Sequence, residues 1–142
     1  MKKVAIVYWS SSGNTEAMAK SVAKGVADGG GEAVLKTPDA ASADLVRSAD
    51  SLAFGSPAMG DEAIEEEAME PFIASLDSDM LKDKPLGLFG SYDWGDGQWM
   101  RTWVERMKGL GAKIDGEGII AQLTPGEAEL AQCYELGKKL AG

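Results

Sequence analysis

Val4-Ala5-Ile6-Val7-Tyr8 followed by Trp9-Ser10-Ser11-Ser12-Gly13-Asn14-Thr15 is the stretch whose reading decides the fold. The first part is an unbroken apolar run of strand length. Beyond Thr15, residues Ala17, Met18, Val22 and Val26 recur close to a helical period, and Gly29-Gly30-Gly31 stops the pattern. A buried strand therefore runs through a loop of hydroxyls, one amide and one glycine into a helix. Backbone N–H groups at a helix N-terminus point outward unpaired, and the macrodipole favours an anion there. Capping alone needs one such residue. The whole run from Ser10 to Thr15 favours a bound phosphate.

What the loop lacks narrows the ligand. There is no G-x-x-x-x-G-K-[ST], hence no lysine for the outer phosphates of a nucleoside triphosphate. There is no G-x-G-x-x-G for the close approach of a dinucleotide pyrophosphate. No Lys or Arg lies between Val4 and Met18, so a phosphate would be held by neutral N–H and O–H donors. That suits a mononucleotide bound once and kept.

Working outward, apolar runs recur at 33–35, 51–54, 86–89 and 119–121, with helical patterns between them. Ile64, Ala68, Phe72 and Leu76 lie four apart and predict a helix over about 64–76. Met100, Val104 and Met107 predict another over about 98–110, and a last helix follows Pro125. Alternating strands and helices imply a parallel sheet covered on both faces, in one domain spanning residues 1–142. Ligands of such sheets bind beyond the carboxyl ends of the strands.

Two further loops leave that edge. Gly55-Ser56-Pro57-Ala58-Met59-Gly60-Asp61-Glu62 follows the third strand, and Gly90-Ser91-Tyr92-Asp93-Trp94-Gly95-Asp96-Gly97 the fourth. Each carries a large polarisable or aromatic side chain among small residues. Met59 and Trp94 would wall a flat aromatic ligand, while their small neighbours permit close backbone approach.

Composition bounds the chemistry. The 142 residues suffice for one domain that buries about two-thirds of its chain surface. The absence of histidine excludes a Ser-His-Asp or Cys-His unit, and the single Cys133 excludes an internal disulfide and a cysteine metal cluster. A net charge of −9 argues against nucleic-acid binding. Asp61, Glu62, Glu65, Glu66, Glu67 and Glu70 concentrate that charge. Lys2 and Lys3 precede an apolar run that ends by Trp9 without a cleavage site of the right form, so it reads as a strand and the protein as cytoplasmic, with no membrane association.

With SSSGNT, SPAMGDE and GSYDWGDGQWMR in order, and GEAE before Cys133, the chain resembles the short-chain flavodoxins, small bacterial FMN proteins. The resemblance covers nearly the whole chain. It implies a flavodoxin-like three-layer α/β sandwich with a five-stranded parallel sheet of order 2-1-3-4-5, the order for which flavodoxins are the type example. It implies that Ser10, Ser11, Ser12, Gly13, Asn14 and Thr15 bind the FMN phosphate, with Ser56 as an additional hydroxyl donor. Met59 would cover the inner face of the isoalloxazine and Trp94 the outer. Gly60 would offer its carbonyl to the flavin N5–H, and Glu62 would accept from N3–H. Pro57, Ala58, Asp61, Ser91 and Tyr92 also belong to the cofactor-binding loops, and backbone N–H groups around Asp93 to Gly95 would face the pyrimidine end. Relatives often have glycine where this chain has Asp93.

The resemblance further implies a monomeric, low-potential one-electron carrier, not an enzyme. It would shuttle mainly between a neutral semiquinone and an anionic hydroquinone that the acidic surface makes costly. Its partners would be redox proteins with basic docking surfaces, oxidoreductases that otherwise use ferredoxin. The rival is a small flavin-dependent NAD(P)H or quinone reductase, for whose substrate pocket the chain has no insertion. A receiver domain would need carboxylates where Trp9-Ser10 and Ser56-Pro57 stand.

Overall fold

The computed structural model describes residues 1–59 and 63–142. Strand β1 (Lys3–Tyr8) lies at the centre of the sheet, pairing in parallel with β2 (Glu32–Lys36) and with β3 (Ser51–Gly55). Strand β4 (Pro85–Tyr92) continues beyond β3. The next place is shared by two short pieces, β5 (Lys113–Ile114) and β6 (Ile119–Gln122), each parallel to β4. The order is β2-β1-β3-β4-β5, with β6 continuing the fifth line along β4. The five expected strands are therefore six, because Asp115-Gly116-Glu117-Gly118 loops out between register pairs Leu86–Ile114 and Phe89–Ile119.

Two cores follow from this sheet. On one face α1 (Asn14–Asp28) and α6 (Glu127–Ala141) pack Met18, Val22, Val26, Cys133, Leu136 and Leu140 against Val4, Ile6, Ala53 and Phe89. On the other, α2 (Ala43–Ser48), α3 (Met69–Ala74), α4 (Ser78–Leu81) and α5 (Gln98–Gly109) cover Ala5, Val7, Leu52, Phe54, Leu86 and Leu88. Residues of β1 and β3 alternate between the cores, so both faces of each strand are apolar and the sequence reads as an unbroken run. Cys133 lies wholly in the first core, and burial pushes its thiol pKa up to about 12. It is inert as a nucleophile. Among the described residues no helix is long and apolar enough to cross a membrane.

The helix expected over 64–76 starts later, at Met69. Ile64 is buried, but Glu65 folds its carboxylate back onto the N–H groups of Glu67, Ala68 and Met69, at 2.7, 2.8 and 2.8 Å. The side chain supplies the acceptors that a preceding helical turn would have given.

Glu70, in the first turn of α3, forms a two-pronged ion pair with Arg106 of α5, both contacts at 2.7 Å. The guanidinium hydrogen bonds hold the Glu70 carboxyl below its ordinary value of 4.5, against a smaller opposing effect of burial. A depressed carboxylate pKa adds stability above the unfolded pKa and loses it as pH falls through the folded one. The urea midpoints of the wild type and Glu70→Gln should therefore differ at pH 7 and converge as pH drops below 4.5. Water reaches both side chains, 36% and 41% exposed, so the difference should stay below about 1 kcal/mol.

Candidate functional site

The carboxyl end of β1 delivers the chain into a turn closed by the Gly13 N–H, which donates to Ser10 Oγ at 3.1 Å. Gly13 then adopts φ +95°, the left-handed region that a side chain would strain, and caps α1 without a side-chain acceptor. The N–H groups of Ser11, Ser12, Asn14 and Thr15 consequently meet no acceptor among the described residues. Ser11 and Ser12 line a groove of about 610 Å³ together with Trp9, Ser10, Gly13, Thr37, Asp39 and Ala68. No lysine or arginine lines it, while Glu16 and Asp39 border it. The donor set is neutral and directed, suited to a phosphate monoester.

Beneath this turn the Thr15 and Ser91 hydroxyls lie 3.0 Å apart and buried, linking α1 to the end of β4. The hydroxyls of Thr15 and Ser91 thus hold each other. Tyr8 donates to Glu16 Oε2 at 3.4 Å and so holds that carboxylate at the groove's flank. Burial, then the charge and hydrogen bond of Glu16, push the Tyr8 pKa up.

The second loop is rooted by three contacts. The Ser56 N–H donates to Phe89 O at 3.1 Å, the Ala58 N–H to Ser91 O at 2.9 Å, and the Trp99 indole to Ser56 O at 3.2 Å. A Cβ on Gly90 would sit 2.0 Å from that Ser56 carbonyl, so glycine is required for the close approach of the two loop roots. Met59 pairs with Ala63 in both directions, at 2.8 and 3.0 Å. Pro57 and Ala58 are half-buried along the stem.

Ser56 departs from its expected role. Fully buried, it donates its hydroxyl to Pro57 O at 2.9 Å and accepts from the Glu65 N–H at 2.9 Å. Its hydroxyl braces the root of the loop. Gly60, Asp61 and Glu62 lie outside the described residues.

In the third loop, Tyr92 leans on Trp99 with ring centroids 5.4 Å apart. The Asp93 carbonyl accepts from the Gln122 side chain at 3.2 Å, leaving the Asp93 carboxylate exposed. Gly95 takes φ +92°, and Arg101 clasps Asp96 through its carboxylate and carbonyl, each at 3.0 Å. Trp94 is 62% exposed.

The exposure pattern singles out this edge. Among the described residues the exposed large hydrophobics are Met1, Met59, Trp94 and Leu123. Met1 is the terminus; the other three follow β3, β4 and β6, and the Leu123 N–H is bonded to Tyr92 O at 2.7 Å. Such apolar side chains at one sheet edge, beside a neutral phosphate cradle, fit a flat aromatic mononucleotide. A larger cavity of about 730 Å³ lies along α5, among Arg101, Glu105, Lys108 and Glu117. It touches the third loop only at Gly97, and neither the Ser10–Thr15 turn nor the Met59 loop lines it.

The family model for flavodoxin matches residues 6–137. The chain belongs to the flavodoxin family. It is 45% identical to the flavodoxin of Clostridium beijerinckii over 136 residues, covering 96% of this chain and 97% of that one. It is 41% identical to the flavodoxin of Megasphaera elsdenii over 138 residues, covering 97% and 98%. The solution structure of the two-electron reduced Megasphaera elsdenii flavodoxin superposes with a TM-score of 0.84 at 40% identity, covering 97% and 98%. The fold expected for this family, a parallel sheet in the order 2-1-3-4-5 between helical layers, is the one described above.

Sequence reasoning left several supporting residues unassigned. Glu65, Arg101, Trp99 and Gln122 hold the loops without standing in a recognisable spacing. Trp99 alone carried a signal, since an indole beside a glycine-rich loop is a natural support.

Proposed function

We propose that this flavodoxin carries electrons one at a time on a single noncovalently held FMN. The observation that supports this most directly is the exposure of Met59 and Trp94 beside a groove of unpaired, uncharged donors. When bound, FMN supplies the redox chemistry, accepting and releasing electrons singly. The chain's residues bind and orient it. The N–H groups of Ser11, Ser12, Asn14 and Thr15 and the adjacent hydroxyls hold the phosphate; Met59 and Trp94 enclose the ring; backbone around Asp93 to Gly95 meets the pyrimidine end. Gly60 and Glu62 keep the roles implied by the resemblance, as acceptors at N5–H and N3–H.

Charge then orders the two reductions. The groove lacks a cation, while Glu66, Glu67 and Asp93 stand exposed on the neighbouring loops. Negative charge arriving on the ring is opposed, which lowers the second potential. The same exposed carboxylates steer basic redox proteins to this edge. Glu70 and Asp96 contribute less to that field, being paired with Arg106 and Arg101.

Acid precipitation of the purified protein should release about one equivalent of FMN, as one phosphate cradle implies. Release of FAD, or apoprotein that does not retain added FMN, overturns the reading. Asp93→Asn should raise the second one-electron potential and move the first less. At roughly 8 Å and an effective dielectric near 40, one unit charge is worth about 1 kcal/mol, or about 40 mV. Spectroelectrochemistry at low ionic strength reads this shift; a change below about 10 mV removes Asp93 from the redox argument.

A further inference from the structure

Glu65 is 3% exposed, a carboxylate in the core that the function above does not use. Its three acceptor contacts are the N–H groups of Glu67, Ala68 and Met69 at the start of α3. Its own N–H donates to Ser56 Oγ at 2.9 Å, and its carbonyl accepts from the Glu70 N–H at 2.8 Å. Ser56 in turn is tied to β4 through Phe89 O and to α5 through the Trp99 indole. The two roots of the segment bearing Met59 are thus joined to each other and, separately, to a strand and two helices. Removing Glu65 from this arrangement frees one root only, at the α3 end.

We propose that Glu65 is a positioning residue: its carboxylate holds the α3-end root of the Met59 loop, which its own N–H ties to Ser56, and so sets where that wall stands against the ring. The inference rests on the FMN reading above and adds to it the group that pre-organises the ring site. Acceptor chemistry explains the residue type. Both carboxylate oxygens face N–H donors, and a glutamine would turn an amide donor toward one of them. Preorganisation of this kind is felt as affinity, because an untied loop must be ordered when the ligand binds.

Glu65 makes no contact with the Ser10–Thr15 turn, but Ala68, which it holds, lines that turn's groove, so comparing two flavins separates an effect at the ring from one at the phosphate. Riboflavin carries the same ring without the phosphate. Fluorescence titration of apoprotein with FMN and with riboflavin should show Glu65→Gln weakening both by the same factor, about tenfold, the scale of one buried donor left unsatisfied. Unchanged affinities, even with lowered apoprotein stability, overturn the proposal by assigning Glu65 to stability alone. Loss confined to FMN overturns it as well, by placing the effect at the phosphate. Ser56→Ala removes the acceptor of the Glu65 N–H, the second tie of the same root, and is read in the same way if Glu65→Gln does not fold. Wild-type apoprotein that binds neither flavin rejects the FMN reading itself, a result separate from either outcome in the variants.

Discussion

Ser12→Asp is expected to weaken FMN binding about a thousandfold while changing riboflavin affinity less than about threefold. The cradle is made of N–H and O–H donors with no cation to absorb an added charge. A carboxylate roughly 5 Å from a phosphate dianion, at an effective dielectric near 40, costs about 3 kcal/mol. Loss of the serine donor adds about 1 kcal/mol. Their sum of about 4 kcal/mol corresponds to about a thousandfold in affinity. Ser12 is exposed at the rim of the groove, so the substitution leaves the core untouched. Part of the loss should return in high salt, because rim charges are screened. Equal weakening of FMN and riboflavin would place the phosphate elsewhere.

Gly137→Ala should lower the apoprotein melting temperature by about 6–10 °C, a cost of at least 2 kcal/mol for a chain of this size. A Cβ at Gly137 would sit 2.0 Å from Val22 O and 2.8 Å from Val26 N, both backbone atoms of α1. Gly25 faces α6 in the same way, its Cβ falling 1.9 Å from Tyr134 O. Neither helix has a flexible side chain to give way, so the pair must part and loosen the core between them. Alanine gains about 1 kcal/mol of helix propensity over glycine. Overpacking costs about 3 kcal/mol or more here and wins. Gly109→Ala is the control, since its Cβ would meet nothing within 4 Å. It should be neutral or stabilising in the same thermal melt, and a stabilised Gly137→Ala would refute the steric account.

The central strands were legible because burial on both faces leaves a continuous apolar run, as in Val4–Val7 and Leu52–Phe54. Long helices were legible from period. Short α2 and α4 were not, since six and four residues give no period to read. Their only marks are the N-caps Ser42 and Asp77, whose side chains accept from Leu45 and Met80 at 3.1 and 3.0 Å. The spacing from Ile64 to Leu76 misled for a different reason. Ile64, Phe72 and Leu76 are all buried, but Glu65 ends the loop by hydrogen bonding rather than by helical turn.

At the site, the Ser10–Thr15 turn stands out in composition, because each of its residues offers small size and donors. Met59 and Trp94 stand out by contrast with their neighbours, and both side chains are exposed. The role of Ser56 could not be read. A serine beside a ligand loop reads as a donor to the ligand, and only its neighbours Pro57 and Glu65 in space reveal that its hydroxyl is already spoken for.

The interruption between β5 and β6 also bears on how crowded molecules behave. An edge strand offers unpaired peptide groups to any extended chain that drifts by, and a long flat edge is an aggregation template. Here that margin consists of two residues, a loop with left-handed Gly116 and Gly118, and four more residues. Asp115 and Glu117 stand in the gap and add like-charge repulsion. The opposite margin, β2, is five residues long and begins and ends on the exposed charged residues Glu32 and Lys36. Neither border offers a long uncharged ladder, so concentrated solutions should resist sheet-to-sheet polymerisation even while the ring-facing edge stays apolar.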